Sequence, residues 1–138
     1  MLNRKARFNY ELLDKFTAGI ILNGREVKAV REDKVSFGDS FCIISGGEIF
    51  LKKLHISMKD AGDAEVTQDR KLLLNKKEIK KLDKATREKG LTIVPIGIYV
   101  NTTGLIKVDI HLARGKNDKN KKESIKEKDL KREQSKGL

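Results

Sequence analysis

Short apolar runs, some strictly alternating with polar residues, recur along this chain between glycine- and asparagine-containing breaks, the pattern of half-buried strands. Phe41 to Ile44, the pair Gly46-Gly47 and Glu48 to Leu51 predict a hairpin with a glycine turn. Its second strand is expected to extend from Leu51 to Ile56. Leu91 to Val100, the turn Asn101 to Gly104, and Leu105 to Ala113 predict a second hairpin. Its last strand alternates cleanly. Ile106, Val108, Ile110 and Leu112 fall on one face, and Lys107, Asp109 and His111 on the other. Pro95 has no N–H to give a ladder, so it predicts an edge or a bulge. Gly19 to Leu22 predicts a further strand near the start.

Two segments change to helical period. Asn75 is a good N-cap, and Glu78 three residues on completes a capping box. Ile79 and Leu82 then share a face. Arg87 and Lys89 suit the C-terminal dipole, and Gly90 supplies a left-handed cap. A shorter helix is expected from about Arg25 to Arg31, with Val27 and Val30 inward. Met58 to Asp69 is polar and unpatterned and reads as a surface loop. Helices set between antiparallel strands predict a mainly β, α+β fold or a partly open barrel.

Composition adds a second region. The chain has 138 residues, the size of one domain. From Arg114 to Leu138 it carries 10 basic and 5 acidic residues, a net +5, with Ile125, Leu130 and Leu138 as the only aliphatic side chains. So apolar-poor a segment cannot offset its ordering entropy alone. The expected organisation is a body over 1–113 and a flexible basic tail over 114–138, which becomes helical only against a partner. The whole chain has a formal charge of +11 and is 37% Asp, Glu, Lys and Arg. That balance raises the concentration of polyanions near the surface, nucleic acid first and anionic membrane second. Leu91 to Val100 is too short to cross a bilayer, no apolar signal core follows the first residues, and Cys42 is the only cysteine. A cytoplasmic protein with no membrane partner is expected, a monomer when free.

Catalysis finds little support in the sequence. There is no glycine-rich phosphate loop, no GxSxG and no HExxH. His55 and His111 stand apart, and one thiol with two distant histidines makes no metal cluster. Cys42 sits in an apolar strand and reads as a small buried hydrophobe. Carboxylates are interleaved with Lys and Arg, the look of a solvated face. No enzyme, cofactor or metal is expected. Binding chemistry is better supported. Arg4, Lys5 and Arg7, then Arg70, Lys71, Lys76 and Lys77, then the tail form three basic clusters. Each cation that reaches a phosphate releases counterions. Aromatics at only 5% argue against a platform that stacks single strands, and favour a folded RNA read by shape and phosphates.

Blocks spread along the chain then become specific. They are Asn3 to Tyr10, Phe16 to Ile20, Gly24 to Arg31, Asp39-Ser40, Gly47-Glu48, His55 to Ser57, Arg70 to Ile79, Glu88 to Pro95, Lys107 to Lys116 and Ile125 to Asp129. In this order and spacing the chain closely resembles the SsrA-binding protein family, which partners transfer-messenger RNA. The resemblance implies an antiparallel, oligonucleotide-binding-like (OB-like) β-barrel with flanking helices. It implies binding to the tRNA-like domain of that RNA and entry with it into stalled 70S ribosomes. There the tail would lie in the mRNA channel near the decoding centre, and the nascent chain would be tagged. Elongation factor Tu joins the candidate partners on the same ground. A structural ribosomal protein and an RNA-processing enzyme are the competing readings.

The resemblance also marks residues. Asn3, Arg4, Lys5 and Arg7 match an RNA-facing N-terminal segment. Leu73 and Asn75 match positions implicated in RNA binding, with Lys71 and Lys76 beside them. Glu26, Lys28, Arg31 and Thr17 fall in matching blocks, although Glu26 also suits a helix N-terminus and Asn75 a cap. In the tail, Lys116, Lys119, Asn120, Lys121, Lys122, Lys126 and Lys128 are the candidate ribosome contacts. The chain departs from the family pattern in places. Thr17 stands where a Glu is usual. The loop after Ser57 is shorter and lacks the common aromatic and proline residues. Lys119 replaces a stacking histidine or aromatic, and Asn120 to Lys122 replace an Asp-Lys-Arg trio.

Overall fold

The computed structural model describes residues 1–116. In chain order the elements are α1 (Arg4–Asn9), β1 (Tyr10–Ile20), α2 (Gly24–Arg31), β2 (Val35–Ser36), β3 (Phe41–Ser45), β4 (Glu48–Lys52), β5 (His55–Ile56), α3 (Asp63–Val66), β6 (Arg70–Leu73), α4 (Lys76–Lys89), β7 (Thr92–Val100) and β8 (Ile106–Gly115). Six strands pair antiparallel in the order β1-β6-β4-β3-β7-β8, and β8 returns to β1. The sheet thus curls into a barrel, as the pattern and the resemblance imply. Its thinnest seam is β3–β7, one registered pair between Cys42 and Ile93. β2 and β5 form a separate two-stranded ribbon.

The inward residues of the strands fill the barrel. Ala18, Ile49, Leu51, Ile93, Ile98, Val108 and Ile110 are all buried there. Each large aliphatic removed from water contributes about 1.5–3 kcal/mol. α4 covers the barrel with Leu82, which is fully buried, and with Ile79 and Ala85 packed beside it. The capping box is present at both helices that carry the signal, Asn23 with Glu26 and Asn75 with Glu78. Gly90 closes α4 at φ +66°, a conformation that costs glycine nothing.

β7 explains its own continuous apolar run. Ile93 and Ile98 face the barrel interior, while Val94 and Ile96 pack with Ala6 of α1 and Ala113 in a second, smaller cluster. A strand covered on both faces needs no alternation. The register shifts between Pro95 and Gly97, so the proline does mark a bulge.

Several expectations differ from the structure. The first strand begins at Tyr10, nine residues earlier than Gly19, and ends at Ile20. A register shift between Leu12 and Lys15 breaks its alternation and hides its period. β4 stops at Lys52, because Lys53 turns into the left-handed region at φ +63°. The polar stretch after Met58 contains α3, anchored by buried Val66. α1 carries no extended pattern and was not foreseen. β8 runs through Arg114 to Gly115, paired with Glu11 and Tyr10, two residues past the break in composition at 113.

Candidate nucleic-acid interface

The outward residues of four adjacent strands, β6-β1-β8-β7, make one surface. Cross-strand partners share a face. Leu73 pairs with Gly19, Gly19 with Lys107, and Lys107 with Tyr99. The next row runs Thr17, Asp109, Gly97. Because Ile106, Val108 and Ile110 point into the core, Lys107 and Asp109 must point out. Leu73 is 50% exposed, and Tyr99 is exposed beside Lys107. Gly19 packs closely against a neighbour here. A Cβ at this position would meet the Leu73 Cβ at 3.4 Å, so its absence leaves the row low in the middle.

Polar groups on this face are held in place. The Thr17 hydroxyl donates to Asp109 Oδ1 at 3.0 Å, and the Tyr99 hydroxyl donates to the same oxygen at 3.3 Å. Lys15 Nζ lies 3.5 Å from Asp109 Oδ2. Lys71 is half-buried and paired with Glu48. At the Lys107 end, Arg31 donates to the Gly104 carbonyl at 3.3 Å in the β7–β8 turn, which brings α2 up to the face. Lys28, one turn earlier, is exposed and lines a separate cleft of about 380 Å³ with Arg25, Lys34 and Lys59.

β6 leads directly into the N-terminus of α4. Asn75 Oδ1 accepts from the Glu78 N–H at 2.8 Å, so the cap uses one end of the amide. Its Nδ2 has no partner among the described residues. Lys76 and Lys77 are exposed in the first turn, where backbone N–H groups and the helix dipole already favour an anion. Leu73, Asn75, Thr17, Lys76, Arg31 and Lys107 are thus gathered around one surface that is neither uniformly basic nor apolar.

The structure places two of the marked residues away from this surface, in the interior. Asn3 is only 3% exposed. Its Nδ2 donates to the Pro95 carbonyl at 2.8 Å and its Oδ1 accepts from the Ala6 N–H at 3.1 Å, so both ends are used to fasten α1 on β7. Glu26 is also 3% exposed. Its Oε2 accepts from Arg70 Nε at 2.7 Å and Gln68 Nε2 at 3.0 Å, and its Oε1 from the Asn23 N–H at 3.0 Å. Burial alone would raise this carboxyl. The hydrogen bonds from Asn23, Gln68 and Arg70, with the Arg70 charge, outweigh that and hold it below the ordinary carboxylate value. Arg70 donates further to the Leu54 and Val66 carbonyls. Neither Glu26 nor Arg70 can turn outward without leaving a buried charge unpaired.

The other basic residues gather at the far end of β1, whose 11 residues span roughly 36 Å at about 3.3 Å each. Arg4 and Arg7 are exposed on α1, and Lys5 pairs with Asp39 at 2.8 Å. Lys116 Nζ lies 6.0 Å from the ring centre of Phe8, which is 79% exposed. Lys119, Asn120, Lys121, Lys122, Lys126 and Lys128 lie outside the described residues.

Lys107, Asp109 and Tyr99 escaped the sequence reading as site residues. The alternation of the last strand did place Lys107 and Asp109 outward, but their neighbours follow only from register. Among the described residues no group of His, Cys, Asp and Glu could hold a metal ion, and no helix is long and apolar enough to cross a membrane. The Cys42 thiol is buried, and burial pushes its pKa well up, away from the reactive thiolate.

A model of the family described as SmpB protein matches residues 1–138. The chain belongs to this family. Among its relatives, SsrA-binding protein of Parabacteroides distasonis is 46% identical over 134 residues, covering 95% of this chain and 88% of the relative. That of Flavobacterium johnsoniae is 46% identical over 136 residues, covering 96% and 90%. That of Ligilactobacillus salivarius is 44% identical over 134 residues, covering 95% and 86%. A solved structure described as "tmRNA-SmpB: a journey to the center of the bacterial ribosome" is similar with a TM-score of 0.72 and 41% identity, over 91% of this chain and 93% of that one.

Proposed function

We propose that this chain binds the tRNA-like domain of transfer-messenger RNA and brings it to stalled bacterial ribosomes, where translation resumes on that RNA and tags the nascent chain. The whole-chain match to a family with a solved member described together with that RNA and the bacterial ribosome carries the reading. The β6-β1-β8-β7 face supports it physically. A folded RNA presents phosphates, 2′-hydroxyls and a few exposed bases. Lys107, Lys76 and Arg31 suit the first, and Leu73 and Tyr99 offer apolar surface to the last. Arg4, Arg7 and Lys116 form a second basic region at the other end of β1, suited to ribosomal RNA. The protein acts here in the cytoplasm as a monomer that positions RNA and forms no bond itself.

The test is a salt-titrated binding assay with the tRNA-like domain, an ordinary tRNA and a ribosomal RNA hairpin as competitors. Selective binding to the tRNA-like domain that survives competition is expected. Equal, salt-labile binding to all three would mean that charge alone drives association, and would favour a structural ribosomal protein. A second expectation separates body from tail. A chain ending at Lys116 keeps its affinity for the tRNA-like domain but no longer supports tagging in a reconstituted stalled-ribosome reaction. Normal tagging by that chain would contradict the division of labour.

A further inference from the structure

One carboxylate stands in the middle of a surface that otherwise suits RNA. Asp109 is flanked in register by Thr17 and Gly97, one row from Lys107 and Tyr99. An acid in this place opposes phosphate, so charge attraction does not account for it. Lys15 pairs with it at 3.5 Å from an exposed position, and the Asp109 side chain retains 21% of its exposure.

The geometry fixes which oxygen is engaged. Two hydroxyls, from Thr17 and Tyr99, both donate to Oδ1. They orient the carboxylate from both neighbouring strands. Oδ2 receives no hydrogen bond among the described residues. Beside it stands Gly97, where a Cβ would lie 4.0 Å from Oδ2 but nearer the Met1 carbonyl oxygen at 3.3 Å and Leu2 Cδ2 at 3.6 Å, so the first residues of the chain cover the glycine itself. The carboxylate is thus fixed and partly exposed, and Oδ2 is its acceptor without a hydrogen bond among the described residues. A carboxylate accepts and cannot donate. Its match on RNA is a donor, either a 2′-hydroxyl or an exocyclic base amine, and its mismatch is a phosphate.

We infer that Asp109 is a specificity-determining residue: its Oδ2 accepts a hydrogen bond from a donor group of the bound RNA and rejects registers that would place a phosphate there. The inference rests on the proposed binding of the tRNA-like domain at this face. It also bears on Thr17, where the family pattern carries a Glu. The acid of this face sits on the paired strand, one residue across.

The experiment is Asp109→Asn, a change of similar shape that removes a negative charge, assayed against a tRNA-like-domain transcript, an ordinary tRNA and a ribosomal RNA hairpin. The expected result is a loss of roughly tenfold or more for the tRNA-like domain, the scale of one charge-assisted hydrogen bond. Affinity for the other two should hold or rise. An unchanged melting midpoint shows that the barrel is intact. Thr17→Glu added to Asp109→Asn returns a carboxylate to the face and should recover selectivity. Transcripts with single 2′-deoxy substitutions identify the donor. One that abolishes the difference between wild type and variant assigns a hydroxyl, and a difference that persists in all assigns a base amine.

Rising affinity for all three RNAs would overturn the inference, because Asp109 would then act only as a repulsive charge. An equal fall for all three would overturn it too, because the role would then be structural. If the wild type itself shows no preference, the proposed function fails and not this residue's part alone. If the wild type is selective and Asp109→Asn stays equally selective, only the inference fails.

Discussion

Two regions of this molecule use charge and hydrophobe in opposite senses. Around α2 and β6, Glu26 and Arg70 are buried at 3% and 2% exposure and tie α2, α3 and the β4–β5 connection together. Three residues along from Arg70, Leu73 stands half in solvent on the outer face. One short strand thus carries a charge to the inside and a leucine to the outside. Residue type alone does not tell which side chain meets RNA. The inward charge holds the shape of the barrel, and the outward hydrophobe is free for a partner.

The strongest way to break this contrast is to remove the buried cation. Arg70→Met leaves Glu26 unpaired in the interior and should cost about 3–5 kcal/mol in chemical denaturation. RNA affinity of the fraction still folded should change little. A large affinity loss without loss of stability would place Arg70 in the interface.

The outward side gives the converse. Leu73→Ala with Asn75→Ser should lower affinity for the tRNA-like domain by roughly tenfold to a hundredfold, equivalent to about 1.4–2.8 kcal/mol. Serine keeps the cap acceptor that Asn75 supplies to the Glu78 N–H, so stability should fall by less than about 1 kcal/mol. A variant that melts instead would make these residues mainly structural.

The smallest effect sharpens the contrast through pH. The Glu26 carboxyl is held below its ordinary value, so its contribution is complete above that value and is lost as pH falls through the lowered one. Thermal melts from neutral pH down to about pH 3 should therefore show a shallower acid limb for Glu26→Gln than for the wild type. Equal slopes would mean that the Arg70 pair does not set the acid sensitivity.

What the sequence revealed follows the same division. α4 was legible from cap to cap, since Asn75, Glu78 and Gly90 are local signals. The two hairpins were legible from their turns and from the alternation of β8. β1 was mostly missed, because a bulge between Leu12 and Lys15 breaks its period, and α3 was missed because four residues carry no pattern. In the site, the resemblance brought Leu73, Asn75 and Thr17 forward but also Asn3 and Glu26, which fold inward. Lys107, Tyr99 and Asp109 come together only through strand register, which links residues about 90 positions apart to Thr17 and Gly19. No local pattern records that.

The most direct test of the central claim, that this face and not net charge recognises the RNA, is an amide NMR titration of the labelled protein with the tRNA-like domain. The account predicts that the largest shifts fall on Thr17, Gly19, Leu73, Asn75, Tyr99, Lys107 and Asp109. Lys28, Lys34 and Lys59 around the separate cleft should stay near their free positions. Shifts centred on those lysines, with the β6-β1-β8-β7 face unmoved, would contradict it.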